Sequence, residues 1–316
     1  MNAEQQHPQA IVDAIRHFAD PDRSLSFMAN LRWANGVQCP RCGSKEVRYI
    51  STRRIWECKS KHEKRQFSVK VGTIFEDSAL PLDKWLIAIW MKANSRNSVS
   101  SYEVARALGV TQKTAWFMQQ RIRLAMQTGS FRKLGGEVEV DETFIGGKAR
   151  NIHAGKRKAK GRGAVGKGVV MGLLKRHGEV RTLVVPDTEA DTLQPRVRQH
   201  VRKGAAVFTD ALASHSGLWP DDVHRVVDHA ECYVKGNIHT NGLENYWSLF
   251  KRCIKGTHIS VEPFHLFRYL DVAAFRFYNR KVGDGERFLK VLGSVEGKRL
   301  TYKGLIGEYE TPTPLS

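Results

Sequence analysis

Glu137-Val138-Glu139-Val140-Asp141 sets the architecture expected of this chain. β-Branched residues alternate with acids and the run stops at an aspartate, the pattern of a short strand with a carboxylate at its end. Val207-Phe208-Thr209-Asp210 stops in the same way, 69 residues after Asp141. A third acid, Glu244, stands 34 residues further on, in Asn241-Gly242-Leu243-Glu244-Asn245, at the opening of a predicted helix. A fold that gathers two strand ends and one helix start makes a cage of oxygen ligands suited to hard divalent cations, which is the chemistry of phosphodiester cleavage and transfer. Lys251, seven residues after Glu244, returns to about the same helix face and can hold a phosphate beside such a cage. Leu243, Trp247, Phe250 and Ile254 form the opposite, core-facing stripe.

Outward from these acids the pattern alternates between strands and helices. Strands are predicted at 137–141, at Val169 to Leu174 and Val180 to Val185 with a turn at His177-Gly178, at Ala205 to Thr209 and at Arg225 to Val227. Helices are predicted around 190–203, 240–255 and 263–280, the last with Phe264, Phe267, Leu270, Ala274 and Phe277 as its core stripe. Its Arg268, Arg276 and Arg280 face either a nucleic acid or solvent. The result is a mixed α/β layer structure.

The N-terminal third carries two smaller modules. Cys39-x2-Cys42-x15-Cys58-x3-His62 has the spacing of a small zinc ribbon in which His62 replaces a fourth thiolate. The competing reading is a metal-free ribbon held by Trp33, Trp56 and Phe67. A full protein ligand set leaves no open position, so Zn2+ here is structural. Further on, Ser100 and Glu103 have the form of a capping box, and Tyr102, Ala105 and Leu108 make a stripe that stops at Gly109. Thr111 caps a following helix with Ala115, Met118, Ile122 and Ala125 inward. This reads as a helix-turn-helix with Gln112, Lys113, Thr114, Arg121 and Arg123 toward a DNA groove or its phosphates, or as a plain helical hairpin with a solvated basic face. Leu82 to Lys92 is a packing helix.

Charge narrows the partner. The chain has 51 Lys and Arg against 32 Asp and Glu, a net charge of +19 over 316 residues, which points to a polyanion. Residues 148–168 concentrate it: eight Lys or Arg, no acid, and glycines at Gly155, Gly161, Gly163 and Gly166. Such a segment is a loop whose Lys148, Lys156, Arg157, Lys158, Lys160, Arg162 and Lys167 grip a phosphate backbone, or a solvated linker. The opening Met1 to His7 has neither the basic nor the apolar part of an export signal, and no apolar run approaches 18 residues, so a cytoplasmic protein with no membrane partner is expected. In that compartment the clustered Cys39, Cys42 and Cys58 fit metal ligation, and Cys232 and Cys253 are reduced thiols.

Read together, Val140-Asp141-Glu142-Thr143-Phe144-Ile145-Gly146-Gly147-Lys148, Thr209-Asp210 and His239-Thr240-Asn241-Gly242-Leu243-Glu244-Asn245-Tyr246-Trp247-Ser248-Leu249-Phe250-Lys251-Arg252 resemble the DDE transposases of bacterial insertion sequences, closest to the IS1595 family with its ISXO2-like domain. Cys39-Pro40-Arg41-Cys42-Gly43, Gln66-Phe67-Ser68 and Gly72-Thr73-Ile74-Phe75 belong to the same resemblance. It implies an RNase H-like mixed five-stranded sheet with flanking helices, preceded by the ribbon and the helix-turn-helix. The implied division is 1–35 helical, 36–76 ribbon, 80–130 helix-turn-helix, 135–285 catalytic and 286–316 a C-terminal extension.

The resemblance also implies an activity and its partners. The activity is metal-dependent cleavage at element ends and strand transfer into target DNA. Two Mg2+ or Mn2+ ions are implied on Asp141, Asp210 and Glu244, with Lys251 and Arg252 on phosphate oxygens. Asn241, one turn from Glu244, is the alternative third ligand, and His239 is a further candidate for the site. Partners are the double-stranded terminal inverted repeats, target DNA, and further copies of the chain once DNA is bound. A domesticated DNA-binding regulator and a standalone RNase H-like nuclease are the competing functions.

Overall fold

The computed structural model describes residues 7–127, 132–146, 167–210, 224–227, 239–259 and 261–307, with the backbone alone at 210 and 224–227. Most of the expected basic loop, and with it Lys148, Lys156, Arg157, Lys158, Lys160 and Arg162, lies outside the described residues, as does Cys232. The chain divides into two compact units, Met1–Met126 with Lys281–Ser316, and Gln127–Arg280.

The first unit opens with α1 (Ile11–Phe18) and α2 (Pro21–Arg32). Asp20 starts α2 by accepting the Asp22 backbone N–H, with Pro21 at the first helical position, where no N–H is needed. A three-stranded antiparallel ribbon follows: β1 (Val47–Ile50), β2 (Ile55–Cys58) and β3 (Gln66–Phe67). Trp33, Trp56 and Phe67 pack mutually edge-on or stacked, with centroids 5.3 to 6.1 Å apart, and supply the apolar core that so short a sheet lacks. Next come α3 (Leu82–Asn94), α4 (Ser101–Leu108) and α5 (Gln112–Ala125).

The expected capping box forms, with Ser100 and Glu103 each satisfying the other's backbone N–H, and α4 ends on Gly109 at φ 60°, a conformation glycine adopts without strain. The predicted inner face of α5 is buried in full: Ala115, Met118, Ile122 and Ala125. The stripe on α4 is different from expectation. Tyr102 is 69% exposed, and Val104, two residues on, is buried with Ala105 and Leu108.

The second unit is built on β4 (Glu137–Ile145), β5 (Gly168–Lys175), β6 (Val180–Val185), β7 (Ala206–Asp210) and β8 (His224–Val227), in the order β6-β5-β4-β7-β8. β4, β5 and β6 are antiparallel neighbours, whereas β7 runs parallel to β4 and to β8. β4 extends four residues beyond the expected 137–141 because β5 pairs with it as far as Ile145↔Gly168. The hairpin turns where expected, with His177 at φ 59°.

Strand alternation gives the sheet two apolar faces. Val138, Val140, Met171, Leu173 and Val207 pack with Leu193, Val197 and Val201 on and beside α6 (Ala190–His200). Ile145, Val170 and Leu174 face α7 (Asn241–Cys253) and α8 (Leu266–Tyr278). Phe264 and Phe267, expected in the core, are 56% and 40% exposed, because residues 263–265 form a separate 3-10 turn and α8 begins only at Leu266. Leu270, Ala274 and Phe277 are buried as expected, and so is Arg268, whose guanidinium lies over the Phe267 ring rather than on a free basic face.

The C-terminal residues return to the first unit as α9 (Asp284–Leu292) and α10 (Tyr302–Ile306). Phe288 of α9 contacts Phe18 and Trp90 at centroid distances of 5.8 and 5.1 Å. Residues 286–316, expected as an extension, thus begin with part of the core formed by α1 and α3. No described helix is long and apolar enough to cross a membrane.

Candidate active site and metal centre

The acids on β4 are placed by period two. Val138 and Val140 point to the α6 face, so Glu139 and Asp141 share the face covered by α7. Two contacts then fix α7 against this strand. Glu139 Oε2 accepts the Leu243 backbone N–H (2.9 Å) in the first turn of α7, and Asp141 Oδ2 accepts the Trp247 indole N–H (3.0 Å) one turn later. Two strand residues advance about 7 Å and four helical residues about 6 Å, so α7 runs alongside β4 in the same direction.

Two glycines permit this approach. A Cβ on Gly242 would lie 2.5 Å from Leu174 Cδ2 and 2.7 Å from Glu139 Oε2. A Cβ on Gly172 would lie 2.5 Å from the Trp247 ring and 2.9 Å from Leu243 Cδ2. Gly172 is the cross-strand partner of Asp141, so the indole reaches the carboxylate through the space that its missing side chain leaves.

Glu139 is buried and its charge is matched by Arg176. Arg176 Nε donates to Glu139 Oε1 (3.1 Å), an Arg176 Nη donates to the His239 carbonyl (2.8 Å), and the guanidinium stacks over Phe208 at 4.0 Å. His239 Nδ1 lies 3.7 Å from the same Glu139 oxygen. His239, a candidate for the catalytic site, is therefore part of the bracket that holds the entry to α7. Neither Glu139 nor Arg176 was singled out from sequence. The available signal was the alternation itself, which puts Glu139 on the same face as Asp141.

Asp141 is half-buried, and its Oδ1 also accepts the Glu142 backbone N–H at 2.8 Å. A carboxylate offers about four acceptor positions, so a cation can be bound beside hydrogen bonds of this kind. Asp210 ends β7 two residues beyond the last registered pair, Glu139↔Phe208, and Asp141 lies two residues beyond it on β4. The two aspartates thus fall at the same level of adjacent parallel strands, although the Asp210 side chain is outside the described residues.

On α7 the buried arc is Leu243, Tyr246, Trp247 and Phe250, while Glu244 and Asn241 are exposed and Lys251 is half-buried. At about 100° per residue, Glu244 and Lys251 lie about 60° and 40° from Trp247 on one shoulder of the helix, and Asn241 lies about 120° away. The shoulder beside the residue that touches Asp141 therefore carries Glu244 and Lys251. Half-buried and exposed carboxylates at such a junction are the hard oxygen donors that Mg2+ or Mn2+ takes.

In the ribbon, one nitrogen or sulfur atom from each of Cys39, Cys42, Cys58 and His62 lies within 4.8 Å of every other. Cys39 Sγ to His62 Nε2 is 3.5 Å and Cys42 Sγ to Cys58 Sγ is 3.6 Å, close to the roughly 3.5–3.8 Å between ligands of tetrahedral zinc with bonds of about 2.0–2.3 Å. The cysteines are free thiols. A turn at Gly43 (φ 73°), with the Cys39 N–H bonded to the Ser44 carbonyl, points the first pair inward. His62 Nδ1 is 2.7 Å from the Glu63 carbonyl, and donation there makes Nε2, which faces Cys39, the metal-binding nitrogen. Burial alone would raise the Cys58 thiol, but hydrogen bonds to His62 and Ser60 outweigh it and bring it down to about 6, giving the thiolate that zinc requires. The residues fit structural Zn2+.

The helical pair places its expected contact residues unevenly. Lys113 is exposed with its ammonium 5.6 Å from the Tyr302 ring centre, Thr114 is partly exposed at the helix cap, and Gln112 Nε2 donates to Ser101 Oγ. Arg121, expected on a DNA-facing surface, is buried and donates to the carbonyls of Leu300, Ile74 and Glu76. Arg123 is buried as well and bonds Gln119. Arg121 ties α5 to other segments of its own unit, because the returning C-terminal segment covers the side of the helix that sequence alone leaves open, whereas the Arg123 bond stays within α5. Arg252 and Lys167 are exposed and half-buried.

Two family models match the chain. Residues 133–278 match the ISXO2-like transposase domain and residues 21–62 match the transposase zinc-ribbon domain. An uncharacterised protein in transposable element ISH50 of Halobacterium salinarum is 29% identical over 269 residues, covering 81% of this chain and 90% of that protein. An uncharacterised transposase-like protein of Haemophilus influenzae is 31% identical over 116 residues, 36% of this chain and 93% of that protein. With both domain matches in this order and a transposase-like relative above 30% identity covered over nearly its whole length, the chain belongs to the IS1595 family of insertion-sequence transposases.

Proposed function

We propose that this protein cuts DNA at the ends of an insertion sequence and joins those ends to target DNA, using Asp141, Asp210 and Glu244 as its metal ligands. The observation that carries the reading is the convergence on Asp141. Asp210 ends the neighbouring strand at the same level, and Trp247 holds the helix that bears Glu244 against it. The strand order β6-β5-β4-β7-β8, with helices on both faces, supports an RNase H-like fold.

Two Mg2+ or Mn2+ ions held there would activate water or a 3' hydroxyl and stabilise the leaving oxygen of an in-line displacement. The chain's own groups do the rest. Asp141, Asp210 and Glu244 would hold the cations, with Glu244 preferred over Asn241 because it lies on the shoulder beside Trp247. Lys251, on the same shoulder, and Arg252 would meet the charge that develops on phosphate oxygens. Lys113, Gln112 and Thr114, together with the basic residues of 148–168, would position double-stranded element ends and target DNA through the phosphates. Paired ends require at least two copies of the chain on DNA.

The test is cleavage and joining by purified protein on its native element ends, with Asp210→Ala, Glu244→Gln and Asn241→Ala beside wild type. Metal-dependent joining that is lost in the first two variants and kept in the third is the expected result. Loss with Asn241→Ala instead moves the third ligand. Cutting without joining makes the protein a nuclease, and binding without cutting makes it a DNA-binding regulator.

A further inference from the structure

We infer that Trp247 is a positioning residue for the metal site, and that Gly172 exists in this strand to let it act. The inference rests on the proposed role of Asp141 as a metal ligand. Trp247 is 4% exposed, and its ring lies in the apolar layer between the sheet and α7. A buried indole N–H needs an acceptor, and here it is Asp141 Oδ2 at 3.0 Å. The other oxygen, Oδ1, accepts the Glu142 backbone N–H at 2.8 Å. Two N–H donors from opposite parts of the fold, one on the strand and one on the helix, therefore fix the orientation of the carboxylate before any cation arrives.

Nothing smaller would do the same. Phenylalanine fills the layer without a donor, and a donor on a flexible side chain would not be locked by its packing. The Gly172 position completes the device. It stands opposite Asp141 in the β4-β5 register, and any side chain there would enter the indole ring at 2.5 Å. The same hydrogen bond also ties the helix bearing Glu244 to the strand bearing Asp141, so one contact bears on both groups.

Partners that orient a metal-binding carboxylate typically change metal affinity by about 10- to 100-fold when removed. The experiment is a Mn2+ titration of the full-length protein, read by electron paramagnetic resonance of the free ion, on wild type, Trp247→Phe, Gly172→Ala and Asp141→Asn, with thermal unfolding as the control for folding. The ribbon is loaded with Zn2+ throughout.

Trp247→Phe and Gly172→Ala are each expected to weaken Mn2+ binding by roughly tenfold or more, and combining them should add little, because both break the same bond. Strand cleavage by Trp247→Phe should return toward the wild-type rate at saturating Mn2+. A tryptophan that only packs the core would lower the rate equally at every metal concentration. If Asp141→Asn abolishes binding while Trp247→Phe and Gly172→Ala bind like wild type, the positioning role is overturned and the metal site stands. If Asp141→Asn itself binds Mn2+ like wild type, the proposed ligand set fails first.

Discussion

Replacing Glu139 by alanine tests the bracket that holds α7 against β4. The change removes an acceptor from the Leu243 N–H (2.9 Å) and from Arg176 Nε (3.1 Å) in a place where the Glu139 side chain is 2% exposed and that of Arg176 is 11% exposed. Breaking one partner out of a buried ion pair costs about 3–5 kcal/mol, because the remaining charge is left without compensation. Arg176 keeps the His239 carbonyl at 2.8 Å and half-exposed Glu137 at 3.5 Å, which puts the cost near the lower end, about 3 kcal/mol. For a domain of this size that corresponds to a fall of roughly 6–12 °C in Tm. Glu139→Gln keeps the shape and an acceptor for Leu243 and should lose about half as much. The assay is calorimetric unfolding of the full-length protein, paired with hydrogen exchange across Asn241–Cys253. A Glu139→Ala protein within about 1 kcal/mol of wild type, or with unchanged exchange in α7, would refute the bracket.

Three further outcomes follow from the same structure. Arg121→Ala should destabilise the first unit by about 3 kcal/mol in denaturant melts, since it strips a buried cation from three carbonyls, while Lys113→Ala should stay within about 0.5 kcal/mol; the reverse order would make Arg121 a surface residue. One Zn2+ per chain should be found by elemental analysis, and Cys58→Ser or chelation should remove it and unfold the ribbon, because metal binding in such modules supplies folding free energy of about 10 kcal/mol or more. The Ser100 backbone and hydroxyl hold the Glu103 carboxyl below its ordinary value, so the folded state binds fewer protons there than the unfolded chain. That contribution is present above the usual glutamate range and is lost as pH falls through the folded value. Solvent screening keeps it to about 1 kcal/mol or less, and Glu103→Gln should flatten the acid limb of the stability profile accordingly.

Much of this fold was legible because local rules and tertiary structure agree where strands end in acids and helices begin at caps. The β-branched runs before Asp141 and Asp210 are strands, the Ser100 to Glu103 box caps a helix, and Leu243, Trp247 and Phe250 are buried. The ribbon ligands were legible because tetrahedral zinc imposes short spacings on the chain.

What could not be read depends on partners far away in sequence. A glutamate between two valines reads as a solvated residue, and Glu139 is buried only because helices cover both faces of the sheet and Arg176, 37 residues on, meets it. Arg121 reads as a basic surface residue until the chain returns 179 residues later to offer the Leu300 carbonyl. Phe264 and Phe267 fit a helical stripe whose phase is broken by a 3-10 turn, which periodicity alone does not reveal.

The proposed direct bond between the Asp141 carboxylate and the catalytic cation is open to a ligand swap, Asp141→Cys. Thiolate is a poor ligand for Mg2+ and a better one for softer Mn2+. Strand cleavage on native element ends should be abolished in Mg2+ and partly restored in Mn2+ for Asp141→Cys, with Asp141→Ala inactive in both. Equal loss in both metals, or full activity of Asp141→Cys in Mg2+, would contradict the assignment of Asp141 as a metal ligand.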